Sequence, residues 1–331
     1  MSMDPAALGN VFPSPDGAAR GPAISHRFRF HGTGNSLFLL ILKNLLLTML
    51  TCGIYAAWAK TQQRKFMWQN TEFHGQRFLY RGTGEELFVG YIKVAACYAV
   101  FILVPTLIRQ FSPEAAIAVQ VVFGLGLLFL IPFAIYWSRA YLLSRTSWRG
   151  VSFALQPGAK PFAKVFLGGY LLTLLTLGVY APVWMNRMHA ISINRTSFGN
   201  MPFRYDGKDS EVWKLTMKGW LLSICTLGIY YFWYISELTR YQLDHTYLGD
   251  ARAHSTLRGG ALFRIMLVYI FGTTFTLGLA FPWIACYALE QMFETMSFEG
   301  DIDFAKIGKA EATGNAMGDG LADAMDLGLS L

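Results

Sequence analysis

The sequence predicts an all-α polytopic membrane protein. Its unit is a tandem helix–break–helix module of about 50 residues, with small β-hairpins at the membrane surface. Three observations predict it. A phrase recurs: Thr51-Cys52-Gly53-Ile54-Tyr55, Thr176-Leu177-Gly178-Val179-Tyr180, Thr226-Leu227-Gly228-Ile229-Tyr230 and Thr276-Leu277-Gly278-Leu279-Ala280. Each copy ends a long apolar run and is followed by Trp or another aromatic residue. The chain is 53% hydrophobic and only 15% charged, where a soluble domain carries about 25% charged residues.

The elements follow in chain order. Residues 1–24 are rich in Gly, Pro and Ala and have no charged segment leading into an apolar one, so they read as a disordered leader and not a signal peptide. Phe28-Arg29-Phe30-His31-Gly32-Thr33-Gly34 alternates and then turns, which suggests a short strand. The pattern returns at Phe78–Gly84 and, more loosely, at Phe203–Gly207. An apolar first helix comes next, as in Ser36–Cys52, Phe162–Leu177, Trp213–Leu227 and Leu262–Leu277. These runs would be roughly 24 Å long at 1.5 Å per residue, short of a ~30 Å hydrocarbon core.

The Thr-x-Gly phrase then breaks the helix. Thr51, Gly53, Thr176, Gly178, Thr226, Gly228, Thr276 and Gly278 are the candidate structural residues of that break. A second helix starts apolar and turns polar. Trp184, Met188 and Ile191 share one face of it. A hairpin signal closes the unit, as in Thr196–Phe203. One module is exceptional. Leu87–Ile108 and Ala115–Trp137 are each long enough to cross a bilayer. The domain organisation is therefore a leader at 1–24 and a membrane domain at 25–305. Its five modules are about 25–85, 86–155, 156–207, 208–256 and 257–305, and a Gly-rich acidic tail fills 306–331.

The net charge is +7, and the tail beyond Ala310 carries acids and no Lys or Arg. A basic membrane body points to membrane lipids as partners, with anionic headgroups at basic cytoplasmic loops, and not to nucleic acid. Simple alternation of six apolar segments would divide the basic residues almost evenly between the two faces, against the positive-inside rule. If each module returns to the face it left, only Arg109 stands apart. Some modules would then be re-entrant, because the second helices hold only about half a bilayer of apolar residues.

Phe28–Gly34, Thr51–Trp58, Asn70–Gly84 and the later Thr-Leu-Gly copies resemble the YjgN-like family of bacterial inner-membrane proteins. The resemblance covers about residues 26–305. It implies a multi-pass protein of the bacterial inner (cytoplasmic) membrane. The family has no assigned reaction, so it transfers no catalytic residues.

No histidine lies at metal-ligand spacing with another ligand, and Cys52, Cys97, Cys225 and Cys286 sit singly in apolar runs. No metal, cofactor or catalytic motif is expected, and enzyme activity is not the expected function. Polar residues within or beside apolar runs form a candidate pathway: Lys43, Asn44, Arg187, Glu237, Arg240 and Glu290. For lysines near helix starts, snorkelling to headgroups is the simpler reading. Repeats, broken helices and intramembrane charge suggest a transporter or channel-like protein for a small or amphipathic solute. The alternative is a non-transporting membrane scaffold or lipid-binding protein.

Overall fold

The computed structural model describes residues 25–300, 302 and 307. The leader and, apart from Ile307, the acidic tail lie outside these residues. One order recurs along the chain: strand, helix, helix, strand. The first round is β1 (Ser25–Phe30), α1 (Gly34–Leu50), α2 (Ala56–Asn70) and β2 (Thr71–Phe73). The second is β3 (Gln76–Arg77) and β4 (Leu79–Tyr80), α3 (Gly84–Arg109), α4 (Pro113–Arg145) and β5 (Thr146–Trp148). The third is β6 (Val151–Leu155), α5 (Ala159–Leu175), α6 (Ala181–Asn194) and β7 (Thr196–Phe198). Then come β8 (Met201–Tyr205), α7 (Asp209–Cys225), α8 (Tyr231–Asp244) and β9 (Thr246–Leu248). The last is β10 (Ala251–Ser255), α9 (Gly259–Phe275), α10 (Phe281–Glu294) and β11 (Met296–Glu299).

The all-α expectation is wrong. The strands are not separate surface hairpins. They form one 11-stranded antiparallel sheet in the order β3-β2-β1-β11-β10-β9-β8-β7-β6-β5-β4. Its two ends, β3 and β4, are consecutive on the chain with Phe78 between them, so the sheet curls into a nearly closed barrel. The Phe78 N–H donates to the Thr71 carbonyl of β2 at 3.1 Å. Each strand is too short for its alternation to stand out from the apolar runs beside it. The pairs that knit the sheet, such as Tyr80↔Thr146 and Tyr205↔Thr246, are separated by a whole helical hairpin. No local pattern reports them.

Neighbouring strands are joined in two ways. At one end are two-residue turns. His74-Gly75 and Arg149-Gly150 have φ of 47° and 75°, and 51° and 79°, as type I′ hairpins require. At the other end every connection is a helical pair. Each pair therefore leaves and re-enters the same sheet, and simple alternation of apolar segments across a membrane does not describe the chain. Each helix packs on the one before and the one after, and α10 returns to α1, so the ten helices form a closed ring. Glycines at first-helix starts make the seams tight. A Cβ on Gly84 would stand 2.9 Å from the Trp58 Cα.

The barrel bore is filled with side chains. Phe73, Phe78, Trp148, Phe198, Leu248 and Ile302 form its buried core. Phe73, Trp148, Phe198 and Leu248 each close the last strand of a round, so one register position supplies the plug. The Trp148 Nε1 donates to the Phe73 and Gln76 carbonyls at 3.2 and 3.1 Å. Outside the bore, the helix ring is apolar and exposed. Among the described residues, α3 and α4 are the two helices long and apolar enough to cross a membrane; α1 and α9 are shorter apolar helices.

Trp148→Ala is expected to destabilise the protein by about 3–5 kcal/mol, since it empties the plug and removes the donor to two carbonyls. Thermal unfolding in detergent measures this. Phe111→Ala, at an 89% exposed position, should leave the midpoint in place.

Candidate functional site

The Thr-x-Gly phrase is a two-sided helix cap. The hydroxyls of Thr51, Thr176 and Thr226 each donate back to the carbonyl four residues earlier at 2.8 Å; Thr276 does the same to Gly272. The same oxygens accept the N–H groups of Tyr55, Tyr180, Tyr230 and Ala280 at 2.9–3.0 Å. One side chain thus ends the first helix and opens the second. Gly53, Gly178, Gly228 and Gly278 have φ of 88–94° and open space where a Cβ would stand. What demands glycine is this backbone angle, not a close helix contact.

The residue between Thr and Gly is also left-handed, with φ of 49–53° at Leu177, Leu227 and Leu277. Asn would suit that conformation better. Yet these leucines are 94–95% exposed at the hairpin tips. Cations lie lower on the first helices. Lys43 and Lys93 hold equivalent places on α1 and α3; Lys164, Lys214 and Arg264 hold another on α5, α7 and α9, one helical turn away. All five are exposed. Each short hairpin therefore has an apolar tip above a cationic waist.

The six candidate pathway residues do not meet. Lys43 is exposed on α1. Asn44 is buried between α1 and α2, with its amide donating to the Ala59 carbonyl at 3.4 Å and its Oδ1 unpaired. Arg187 bridges to Asp209 of the next round at 2.7 Å. Glu237 faces Lys218 of its own round at 3.6 Å. Arg240 and Glu290 are exposed on α8 and α10. Arg187 and Glu237 occupy equivalent positions, as do Arg240 and Glu290, and a ring spreads equivalent positions around its circumference. Only Glu237 and Arg240 share a cleft.

That open cleft, about 660 Å³, lies on the α8–α9 seam. Arg240 and Glu237 line it from α8, and Arg258 and Arg264 from the start of α9. A second cleft of about 670 Å³ holds Arg187 and Arg195. There both arginines are engaged, Arg187 by Asp209 and Arg195 by the Pro157 carbonyl at 2.9 Å. Sequence reasoning passed over Arg258. The signal was the triplet Arg258-Gly259-Gly260, an arginine directly before a helix without acids in its first turn. Among the described residues, no group of three His, Cys, Asp or Glu side chains could hold a metal ion.

A family profile described as "Bacterial protein of unknown function (DUF898)" matches residues 25–221, 201–252 and 233–324. The chain belongs to this family. Curated relatives named "Inner membrane protein YjgN" agree with it. The Salmonella typhimurium protein is 34% identical over 132 residues, covering 40% of this chain and 32% of its own length. The Escherichia coli K12 protein is 48% identical over 65 residues, 20% of this chain and 16% of its own. The Escherichia coli O157:H7 protein is 30% identical over 168 residues, 51% and 40% respectively. The chain thus aligns with less than half the length of each relative. No solved structure matches it. This DUF898 chain is a membrane protein, and its relatives place it in the bacterial inner membrane.

One histidine of the chain is held neutral. His189 of α6 lies edge-on to Tyr205 at 4.8 Å, with its Nε2 unpaired. Burial, and then the nearby Arg139 charge, push its pKa down from 6.5 to about 4. A histidine with a depressed folded pKa binds its proton more readily when unfolded. Its contribution to stability is complete above pH 6.5 and is lost as pH falls through 4. The unfolding midpoint in detergent should decline across that window, and His189→Leu should flatten the decline. At the caps, Thr226→Val should cost about 1 kcal/mol, with Gly228→Ala costing about 1 kcal/mol more through strain at positive φ. Both are read as lowered unfolding midpoints.

Proposed function

We propose that this protein is a non-conducting, lipid-binding scaffold of the inner membrane. In this reading the five strand–helix–helix–strand rounds are internal repeats of one unit. Four short hairpins enter the cytoplasmic leaflet from the barrel side, and the α3–α4 pair crosses the bilayer. The observation that carries the reading is the contrast between bore and rim. The bore is plugged by Phe, Trp and Leu, while the rim exposes leucines at its tips and cations at its waist.

The dimensions agree. A 17-residue first helix is about 25 Å long, and the part above the cation waist is about 12–18 Å, close to half of a ~30 Å hydrocarbon core. A bare leucine in a left-handed turn has no protein contact to offset its backbone strain, and hydrocarbon supplies the matching surroundings. Lysine and arginine stems at the waist can reach the headgroups, where anionic lipid attracts them. Transport, the other reading that repeats and intramembrane charge raise, needs a polar route. The bore offers aromatic rings, and of the six candidate residues only Glu237 and Arg240 share a cleft.

Depth labelling tests the placement. With the native cysteines replaced, cysteines at Gly75, Gly150, Gly199 and Gly249 should react with impermeant maleimide from the cytoplasmic side only. A cysteine at Ser112 should react from the periplasm, and one at Leu227 from neither side. Periplasmic labelling at Leu227 would mean a full crossing and overturn half-membrane insertion. Proteoliposomes should also hold an ion gradient as long as empty vesicles do; a leak that tracks protein content would overturn the non-conducting reading.

A further inference from the structure

The α8–α9 cleft carries positive charge that no described residue neutralises. Arg240, Arg258 and Arg264 converge on it from two helices. Glu237 is its acid, and Lys218 already engages that carboxylate at 3.6 Å. Arg264 donates to neutral Gln291 at 3.4 Å. Arg240 and Arg258 have no acidic partner among the described residues.

The chain holds its own comparison one round earlier. At the α6–α7 seam, Asp209 and Glu211 stand where the α8–α9 seam has Gly259 and Ala261, 50 residues on. Asp209 takes Arg187 at 2.7 Å, and Glu211 takes Lys208 at 3.2 Å. That seam neutralises itself. The α8–α9 seam lacks both acids and opens into a cleft instead. Three guanidinium groups with a planar fork geometry suit the oxygens of a phosphate, which they can grip with paired hydrogen bonds. Beside them, Trp233 lines the cleft and packs on Phe263 at 5.8 Å, which adds an apolar wall. Arg264 also belongs to the cationic waist.

We propose that this cleft binds phosphate, presented by the headgroup of an anionic phospholipid with its glycerol and first acyl carbons against Trp233. The lipid source rests on the leaflet placement argued above; the phosphate chemistry does not.

The test is thermal unfolding of the full chain in detergent, titrated separately with dioctanoyl phosphatidylglycerol, dioctanoyl phosphatidylcholine and inorganic phosphate. Phosphatidylglycerol is expected to raise the midpoint saturably, and the other two to leave it unchanged. Arg258→Gln with Arg264→Gln should raise the half-saturating concentration at least about tenfold. Ala261→Glu, which restores the acid of the preceding seam, should do the same without lowering the ligand-free midpoint. Arg187→Gln, in the other cleft, should keep the response. Equal protection by inorganic phosphate would support the anion site and assign it to a soluble phosphate. Equal responses to both lipids, or unchanged titrations in both cleft variants, would overturn the proposal. Depth labelling at Leu227 reads membrane placement independently, so the two readings can fail separately.

Discussion

The pairing of the first strand with the last is the constraint on which this structure depends. β1 lies antiparallel to β11, with Ser25 opposite Glu299, His26 opposite Phe298 and Arg27 opposite Ser297. Without it the rounds would form an open sheet with long unpaired edges. With it the sheet runs round to Phe78, where the short β3 and β4 share a single chain segment. Strands of two to six residues make few hydrogen bonds each, so none is stable alone. Closure gives every strand but the short β3 and β4 two neighbours and leaves only these two short edges, which share one chain segment. It also brings α10 against α1, which closes the helix ring above.

Closure in turn sorts the side chains by distance from the axis. Residues that end each round, Phe73, Trp148, Phe198 and Leu248, point into the bore and plug it. Residues between a first helix and its neighbours hold the seams, as where Gly84 admits Trp58. What remains faces outward: leucines at the tips and lysines and arginines at the waist. The same placement that fills the bore with side chains leaves apolar and cationic residues on the rim. In the proposed reading, a plugged axis and an amphipathic rim leave the circumference as the binding surface, and the arginine cleft lies there.

Much of this was legible in the sequence. The Thr-x-Gly phrase was visible as a repeated break, because glycine and a hydroxyl report a backbone reversal locally. The membrane class was visible in the long apolar runs and low charge, which the YjgN relatives agree with. The exceptional length of the α3–α4 segment was visible for the same reason. The polar residues were visible individually, but not their arrangement. Lys43, Arg187, Glu237 and Glu290 look alike on a sequence, each a charge in an apolar neighbourhood. They were expected to converge, and a ring instead assigns each to its own seam. Arg258 escaped notice because Arg240, which faces it across the cleft, comes from the neighbouring round.

The sequence by itself determined the local conformations: where each helix breaks, which hairpin turns are tight, and which surfaces must avoid water. These follow from residues within a few positions of one another, through φ preference, hydroxyl capping and apolar periodicity. Only the tertiary structure decided that the hairpins are one barrel, that its bore is filled, and that the arginines share a cleft. Those facts depend on strands separated by whole helical pairs and on the first strand meeting the last. A hydrogen-bond partner at that distance is selected by closure of the ring, which no short window of residues encodes.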